Sequence, residues 1–461
     1  MTNPIKYISV VLVLLSVSMI THSCEKLVET DFPNNQIPSQ LVFEDEQTAE
    51  SALAGLYSAL WNNSMYSGGI DGMGALLGTY TDDLNCVYTS ASNGALDLYN
   101  NQQIPTNTAI TSFWTYAYQE IYMANSIIEG VSGSKALSTA AKNRIRGEAM
   151  FVRSLLYLNL YQIFGEIPYT DTTDYAYNSQ LTRMAKNELL SKLEADLSEA
   201  VNLLPADYRT IERIYPNKFA GYLVLAKMKM ELKKWSEAEN LCNTILQSNL
   251  YSFQTDITKV FQKGGMHIIW QLKPKNTNDA TKEASLYTFT GAPTSFTLSS
   301  SLVNTFAAND LRRQNYMTAV PFSQQTNYRS SKYKNLGVNN ATEYSVLFRL
   351  DEVYLIKAEI LLEMNRVTEA VPFINRSRQR AGLSLLNSSI SVTEAKSQMR
   401  DEKRREFFTE HGIRFFDLKR WGVLDQLNAV KPNWKSYHSS WPLPQKELLV
   451  NPKLNPQNTG Y

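Results

Sequence analysis

Apolar residues along this chain recur mostly at three- and four-residue spacing, the period of a helix with one buried face. Ala49, Leu53, Leu56, Tyr57 and Leu60 place such a helix over 46–61. Trp114, Ala117, Ile121, Ala124 and Ile128 predict another over 113–129. A longer one over 141–164 stops at Gly165, with Pro168 just beyond as C-terminal punctuation. Further helices are expected over 186–204, ending before Pro205, and over 392–408. The period changes at Met266–Leu272, which reads as a short strand ended by Pro274.

The stretch 217–251 holds two such helices in succession. Tyr222, Leu225, Ala226 and Met230 lie on one face, Lys233-Lys234 begin a turn, and Trp235, Ala238, Leu241, Cys242 and Ile245 repeat the pattern. Pro216 stands in front, where proline is tolerated at a helix entry. The small residues Ala226 and Ala238 sit where two antiparallel helices must approach closely. This resembles a tetratricopeptide-type helix pair. A second copy, 347–382, separates Ala358 from Ala370 by the same interval. One such hairpin cannot bury its apolar face alone, so a stack of neighbours is implied. The fold class is therefore mainly α, a tetratricopeptide-like hairpin scaffold with long irregular loops and a few short strands.

The irregular segments are where ligand chemistry is sought. Gly-rich punctuation fills the fifty residues after Trp61, and the stretches 274–300 and 315–342 show no helical period. Loops this long inside a compact domain are usually functional. Sugar rings present apolar C–H faces and many hydroxyls, so a binding surface needs flat aromatic side chains beside carboxylates or amides. Asp82, Asp83, Asn85 and Tyr88 form one candidate cluster, Tyr99 with Asn101 a second, and Tyr287, Phe289 and Phe296 a third. Aromatic residues on helical stripes, such as Trp114, Tyr222 and Trp235, are assigned to packing.

At 461 residues the chain can bury a large core, as one domain or two intimate ones. Lys+Arg 45 against Asp+Glu 44 leaves no basic field for a phosphate backbone, which argues against nucleic acid. Three cysteines provide no disulfide framework. Residues 1–23 read as a signal peptide, with Lys6 followed by the apolar run Ile8–Ile20, too short for a comfortable membrane span. Thr21-His22-Ser23-Cys24 looks like a bacterial lipoprotein box, which makes Cys24 the lipidated first residue of the mature protein and 24–45 a lipidated tether. Several acyl chains on one cysteine anchor a protein stably, where one chain does not.

The last seventy residues carry the most specific signal. Glu402, Arg404, Arg405 and Glu406 are followed by Gly412, Arg414, Phe416, Asp417, Leu418, Arg420, Trp421 and Gly422, then by Asn451-Pro452 and Gln457-Asn458-Thr459-Gly460-Tyr461. Upstream, Arg153 and Tyr157 lead into Phe164-Gly165-Glu166-Ile167-Pro168. Together these resemble the SusD/RagB family, the outer-membrane nutrient-binding lipoproteins of Bacteroidetes. The resemblance covers essentially the whole mature chain, with an N-terminal region over 46–225 and a C-terminal region over 226–461 in one compact unit. It implies a lipid-anchored protein on the cell exterior. It also implies a SusC-like TonB-dependent transporter beneath, for which this protein acts as the lid. The usual ligand is an oligosaccharide, and some members take peptides. A scaffold that binds only proteins is the remaining alternative.

Physically, the C-terminal motifs read as structure. Asp401 and Arg405 are an i,i+4 pair on a solvated helix face, and Arg414, Asp417 and Arg420 a salt-bridged corner that closes the fold. Glu406 and Glu410 are the best carboxylate pair for glycoside hydrolysis, but side chains on one face of one helix cannot flank a glycosidic bond. His267, His411 and His438 show no metal-ligand spacing, Cys86 and Cys242 have no activating motif, and no phosphate loop is present. No catalysis, metal or cofactor is expected.

Overall fold

A computed structural model describes residues 41–461, so the signal peptide, Cys24 and most of the tether lie outside the described residues. The chain folds as a succession of packed helices with short strands inserted between them. α1 (Glu46–Asn63) starts at Asp45, whose carboxylate accepts the backbone N–H of Gln47 and Thr48. α2 (Met73–Tyr80), β1 (Leu84–Cys86) and α3 (Ala95–Tyr99) follow. The long helices α4 (Thr108–Gly133) and α5 (Thr139–Phe164) are capped by Asn107 and Ser138, and α5 stops at Gly165 with φ of 81°. Next come α6 (Lys186–Leu203), α7 (Lys218–Glu231) and α8 (Trp235–Leu246). β2 (Ile268–Leu272), α9 (Lys282–Tyr287), β3 (Phe296–Leu298), β4 (Met317–Phe322), β5 (Gln325–Ser330) and β6 (Ser345–Arg349) form the loop-rich half. α10 (Leu350–Glu363), α11 (Val367–Arg380), α12 (Val392–Phe407) and α13 (Ile413–Arg420) close it.

Each long helix packs on its successor, α4 on α5, α5 on α6, α6 on α7 and α7 on α8. The stack then passes from α8 to α10, and α12 lies on both α10 and α11. This is the mainly α, tetratricopeptide-like architecture anticipated from the periodicity. The two hairpins match in detail. Ala226, Ala238, Ala358 and Ala370 are all fully buried at the close approaches. Lys233 (φ 56°) and Asn365 (φ 60°) take the same left-handed conformation in the same place in the turn. The 225/226 division falls inside α7, a continuous helix.

Three segments expected to be irregular contain regular elements. α2 and β1 occupy the stretch after Trp61, and α9 and β3 lie within 274–300. Residues 317–330 form a β-hairpin turned by Ser323 and Gln324, both at positive φ. These strands make a sheet in the order β1-β3-β5-β4. A separate ribbon of β2 and β6 is fixed to the helices by Trp270, whose ring meets Phe151 of α5 at 5.4 Å and Phe348 at 5.8 Å.

The C-terminal motifs are structural, as anticipated, but their partners differ in part. Glu359 receives Lys403, Arg420 and the Trp421 indole at 2.7–2.8 Å, and Asp417 joins Lys403 at 2.7 Å and Arg420 at 2.5 Å. Arg414 does not join this corner; it reaches Asp82 instead. Arg405 is buried and bonds Glu402 at 3.0 Å, so no exposed pair with Asp401 forms, because that face of α12 is packed against the body of the protein. Glu406 sits in a buried ion network between Arg312 (3.2 Å), Arg349 (2.9 Å) and Arg380 (2.7 Å).

Candidate functional site

The nine loop residues singled out from sequence fall around the β1–β3 sheet and its neighbours. β1 pairs antiparallel with β3, setting Asn85 opposite Thr297 and Cys86 opposite Phe296. Asn85 donates from its side-chain amide to the Thr297 hydroxyl at 3.3 Å. Tyr88, just past β1, stands edge-on to the Phe296 ring at 5.7 Å. The topology thus brings the first and third clusters together at one sheet edge. Tyr99 closes α3 and is half-buried, its ring covered by the Lys431 ammonium at 4.1 Å.

Burial divides the nine. Asn85, Tyr88 and Tyr99 are half-buried and keep surface open to solvent. Asp82, Asp83, Asn101, Tyr287, Phe289 and Phe296 are buried. Asp82 accepts Arg414 in a two-pronged pair at 3.0 and 3.1 Å and also meets Arg404 at 3.0 Å, while Asp83 accepts Arg404 at 2.9 Å. Burial drives the Asp82 carboxyl upward, but Arg404 and Arg414 outweigh it and hold the group below its ordinary value. At Asp83 burial prevails over Arg404, and the value is raised. Asn101, at φ 51°, donates to the Tyr80 carbonyl at 3.0 Å and fixes the end of α3. Burial also raises the Tyr287 phenol far above its ordinary value. These six set the loops in place; they are not available to touch a ligand in this arrangement.

Two residues escaped the sequence reading. Tyr328 of β5 lies opposite Leu298 of β3 and is half-buried on the same sheet. Phe322, at the tip of the β4–β5 hairpin, is exposed. Met317-Thr318-Ala319-Val320-Pro321-Phe322 carries no clean alternation, and no Asn-Gly turn marks the hairpin. The candidate surface is therefore a sheet edge with half-exposed aromatic and amide groups, fastened from behind by arginines of α12 and α13. Neither Glu406 nor Glu410 belongs to it, since both are held in the buried ion network.

A stack of helical hairpins carrying a loop-built face defines the architecture, and sequence comparison narrows it to a family. Residues 33–230 match the family model described as starch-binding, associating with the outer membrane, and residues 302–461 match that of the SusD family. The chain belongs to the SusD/RagB family. A SusD-like protein of Formosa agariphila is 26% identical, with 95% of this chain and 97% of that one covered. Among solved structures, a SusD superfamily protein from Bacteroides vulgatus superposes with a TM-score of 0.78 at 21% identity, covering 90% of this chain and 99% of that one. Surface glycan-binding protein A from Bacteroides thetaiotaomicron, in complex with laminarihexaose, gives 0.75 at 18% identity over 89% of this chain and 99% of that one. Among the described residues no helix is long and apolar enough to cross a membrane.

Proposed function

We propose that this protein is a cell-surface lipoprotein that captures oligosaccharides on its loop face and passes them to a SusC-like TonB-dependent transporter. The observation that carries the reading is its membership of a glycan-binding family whose fold it shares with a protein solved in complex with laminarihexaose. The half-exposed rings of Tyr88 and Tyr99, with the Asn85 amide, supply the flat and polar groups that sugar binding requires. Binding, not hydrolysis, is the chemistry this face offers, because its carboxylates Asp82 and Asp83 are buried against arginines.

Titration calorimetry of the purified protein against neutral oligosaccharides, laminarihexaose among them, tests capture. A Tyr88→Ala/Tyr99→Ala variant should bind at least tenfold more weakly, a loss of about 1.4 kcal/mol, with an unchanged thermal midpoint. Undiminished binding would remove this face as the site, and binding of peptides in place of glycans would favour the peptide-capturing alternative. Copurification from solubilised membranes should bring down a large β-barrel; recovery of soluble partners alone would favour a protein-binding scaffold.

The anchor is proposed at Cys24, with the protein facing the cell exterior. Labelled palmitate should enter the wild-type chain and not a Cys24→Ala variant. Equal labelling of both would sink the lipoprotein reading, and protease shaving of intact cells tests exposure.

A further inference from the structure

On the helical scaffold, α5, the α7–α8 hairpin, α12 and α13 enclose a cleft of about 460 Å³. That volume lies within the range of about 300–1,000 Å³ in which ligand sites fall. Four aromatic side chains line it: Tyr161 from α5, Trp235 from the start of α8, Phe416 from α13, and Trp421 just after it. Trp421 is fixed by its indole N–H, which donates to Glu359 at 2.8 Å. Trp235 and Tyr161 are only half-buried, so part of each ring is left for another molecule.

The charges around the cleft are unbalanced. Arg420 is taken up by Glu359 and Asp417, and Lys396 by Glu363 at 2.8 Å. Lys186, Lys233 and Arg400 also line the cleft, and none makes an ion pair among the described residues. Lys419 donates to the carbonyls of Gln162 and Ser439 and makes no ion pair among the described residues. Against these cations stands Glu231, which accepts the Gln162 amide at 2.9 Å. The protein as a whole carries a net charge of only +1, so this concentration of unpaired cations is local. Arg400 is the focus. Its guanidinium lies 4.8 Å from the Trp421 ring centroid, and its Nε is buried with no hydrogen-bond partner among the described residues. With Lys396 and Trp421 it also lines a second cleft of about 460 Å³ along the outer face of α12.

We propose that this cleft binds an acidic oligosaccharide, one built of uronate units, at a site separate from the loop face. Each uronate ring presents an apolar face for Trp235 or Tyr161 and a planar carboxylate for Arg400, Lys186 or Lys233. Cations drawn from three different elements suit a ligand whose carboxylates repeat at ring spacing. The assignment rests on the reading that this protein captures carbohydrate.

The test is titration calorimetry with three probes, a galacturonate hexasaccharide, laminarihexaose and hexaglutamate, at low salt and again at about 1 M salt, where charges are screened beyond about 3 Å. The galacturonate should bind the wild-type protein at low salt and lose at least tenfold in affinity at high salt. Arg400→Ala should cost a similar factor, and so should Lys186→Ala/Lys233→Ala, whose exposed side chains can be removed without disturbing the core. The Tyr88→Ala/Tyr99→Ala variant should bind it normally. Galacturonate binding that survives both cation variants, or none while a neutral glycan binds, overturns the cleft and leaves capture at the loop face intact. Binding of hexaglutamate in place of galacturonate also overturns it, in favour of an acidic polypeptide. If no saccharide of either kind binds, the cleft and the capture reading fall together.

Discussion

Replacing Glu406 by glutamine should destabilise the protein by about 3–5 kcal/mol, the range expected when one member of a buried ion cluster is removed. Glu406 is fully buried and lies within 3.2 Å of Arg312, Arg349 and Arg380, three guanidinium groups that are themselves buried. Asp310, Glu402, Asp351 and Glu410 complete the cluster but already serve as partners elsewhere in it. A neutral amide keeps the shape but removes the one carboxylate that these three guanidinium groups share, out of reach of water. The same group makes a pH statement. Burial pushes its carboxyl up, but Arg380, Arg349 and Arg312 outweigh burial and hold it well below the ordinary 4.5. Its contribution to stability is therefore full above that value and is lost as the pH falls through the lower, folded-state value. Urea denaturation at neutral pH and again near pH 4 checks both parts. The gap between wild type and Glu406→Gln should narrow in acid; an equal gap at both pH values would refute the charge argument.

Trp270→Ala should cost about 3–5 kcal/mol as well, by a different mechanism, the loss of a large buried ring and the cavity it leaves. Trp270 is completely buried, meets Phe151, Tyr57 and Phe348, and donates its indole N–H to the Ile214 carbonyl at 3.1 Å. It joins the β2–β6 ribbon to α1 and α5, so its removal loosens one half of the molecule from the other. The expected readout is a lower denaturation midpoint in urea. A midpoint within about 0.5 kcal/mol of wild type, the scale of an ordinary surface change, would contradict this role.

How much of this was legible depends on the range of the interaction. The two hairpins could be read because the spacing of Ala226, Ala238, Ala358 and Ala370 reflects a local period that the helix itself imposes. α9 could not, since six residues are too few to show a period, and the β4–β5 hairpin turns on Ser323 and Gln324, which are not residues that announce such a turn. Six of the nine candidate ligand residues are buried, and for Asp82 and Asp83 the reason is long-range. Asp82 and Asp83 lie in a polar stretch that reads as exposed, and what buries them is Arg404 and Arg414, far along the chain. Tyr287 and Phe296 likewise stand in a segment of polar composition, and only the assembled sheet shows that their rings face inward. Asn85, Tyr88 and Tyr99 keep part of their surface open, Asn85 on the edge strand β1, Tyr88 just past it and Tyr99 at the end of α3.

The fastening of the early loops by late residues also bears on the order of events during synthesis. Arg404 and Arg414 lock Asp82 and Asp83, the Tyr80 hydroxyl donates to the His438 carbonyl at 2.8 Å, the Gln103 amide donates to the Tyr461 hydroxyl at 2.6 Å, and Asn458 donates to the Phe164 carbonyl at 2.7 Å. The helical stack can form hairpin by hairpin as the chain emerges, since each pair packs on its sequence neighbour. The loop face has to wait, because closing contacts across most of the chain is slow and comes after local pairing. A chain cut short before α12 would carry an assembled scaffold beneath loops still open to proteolysis, because the residues that fasten the loop face come last.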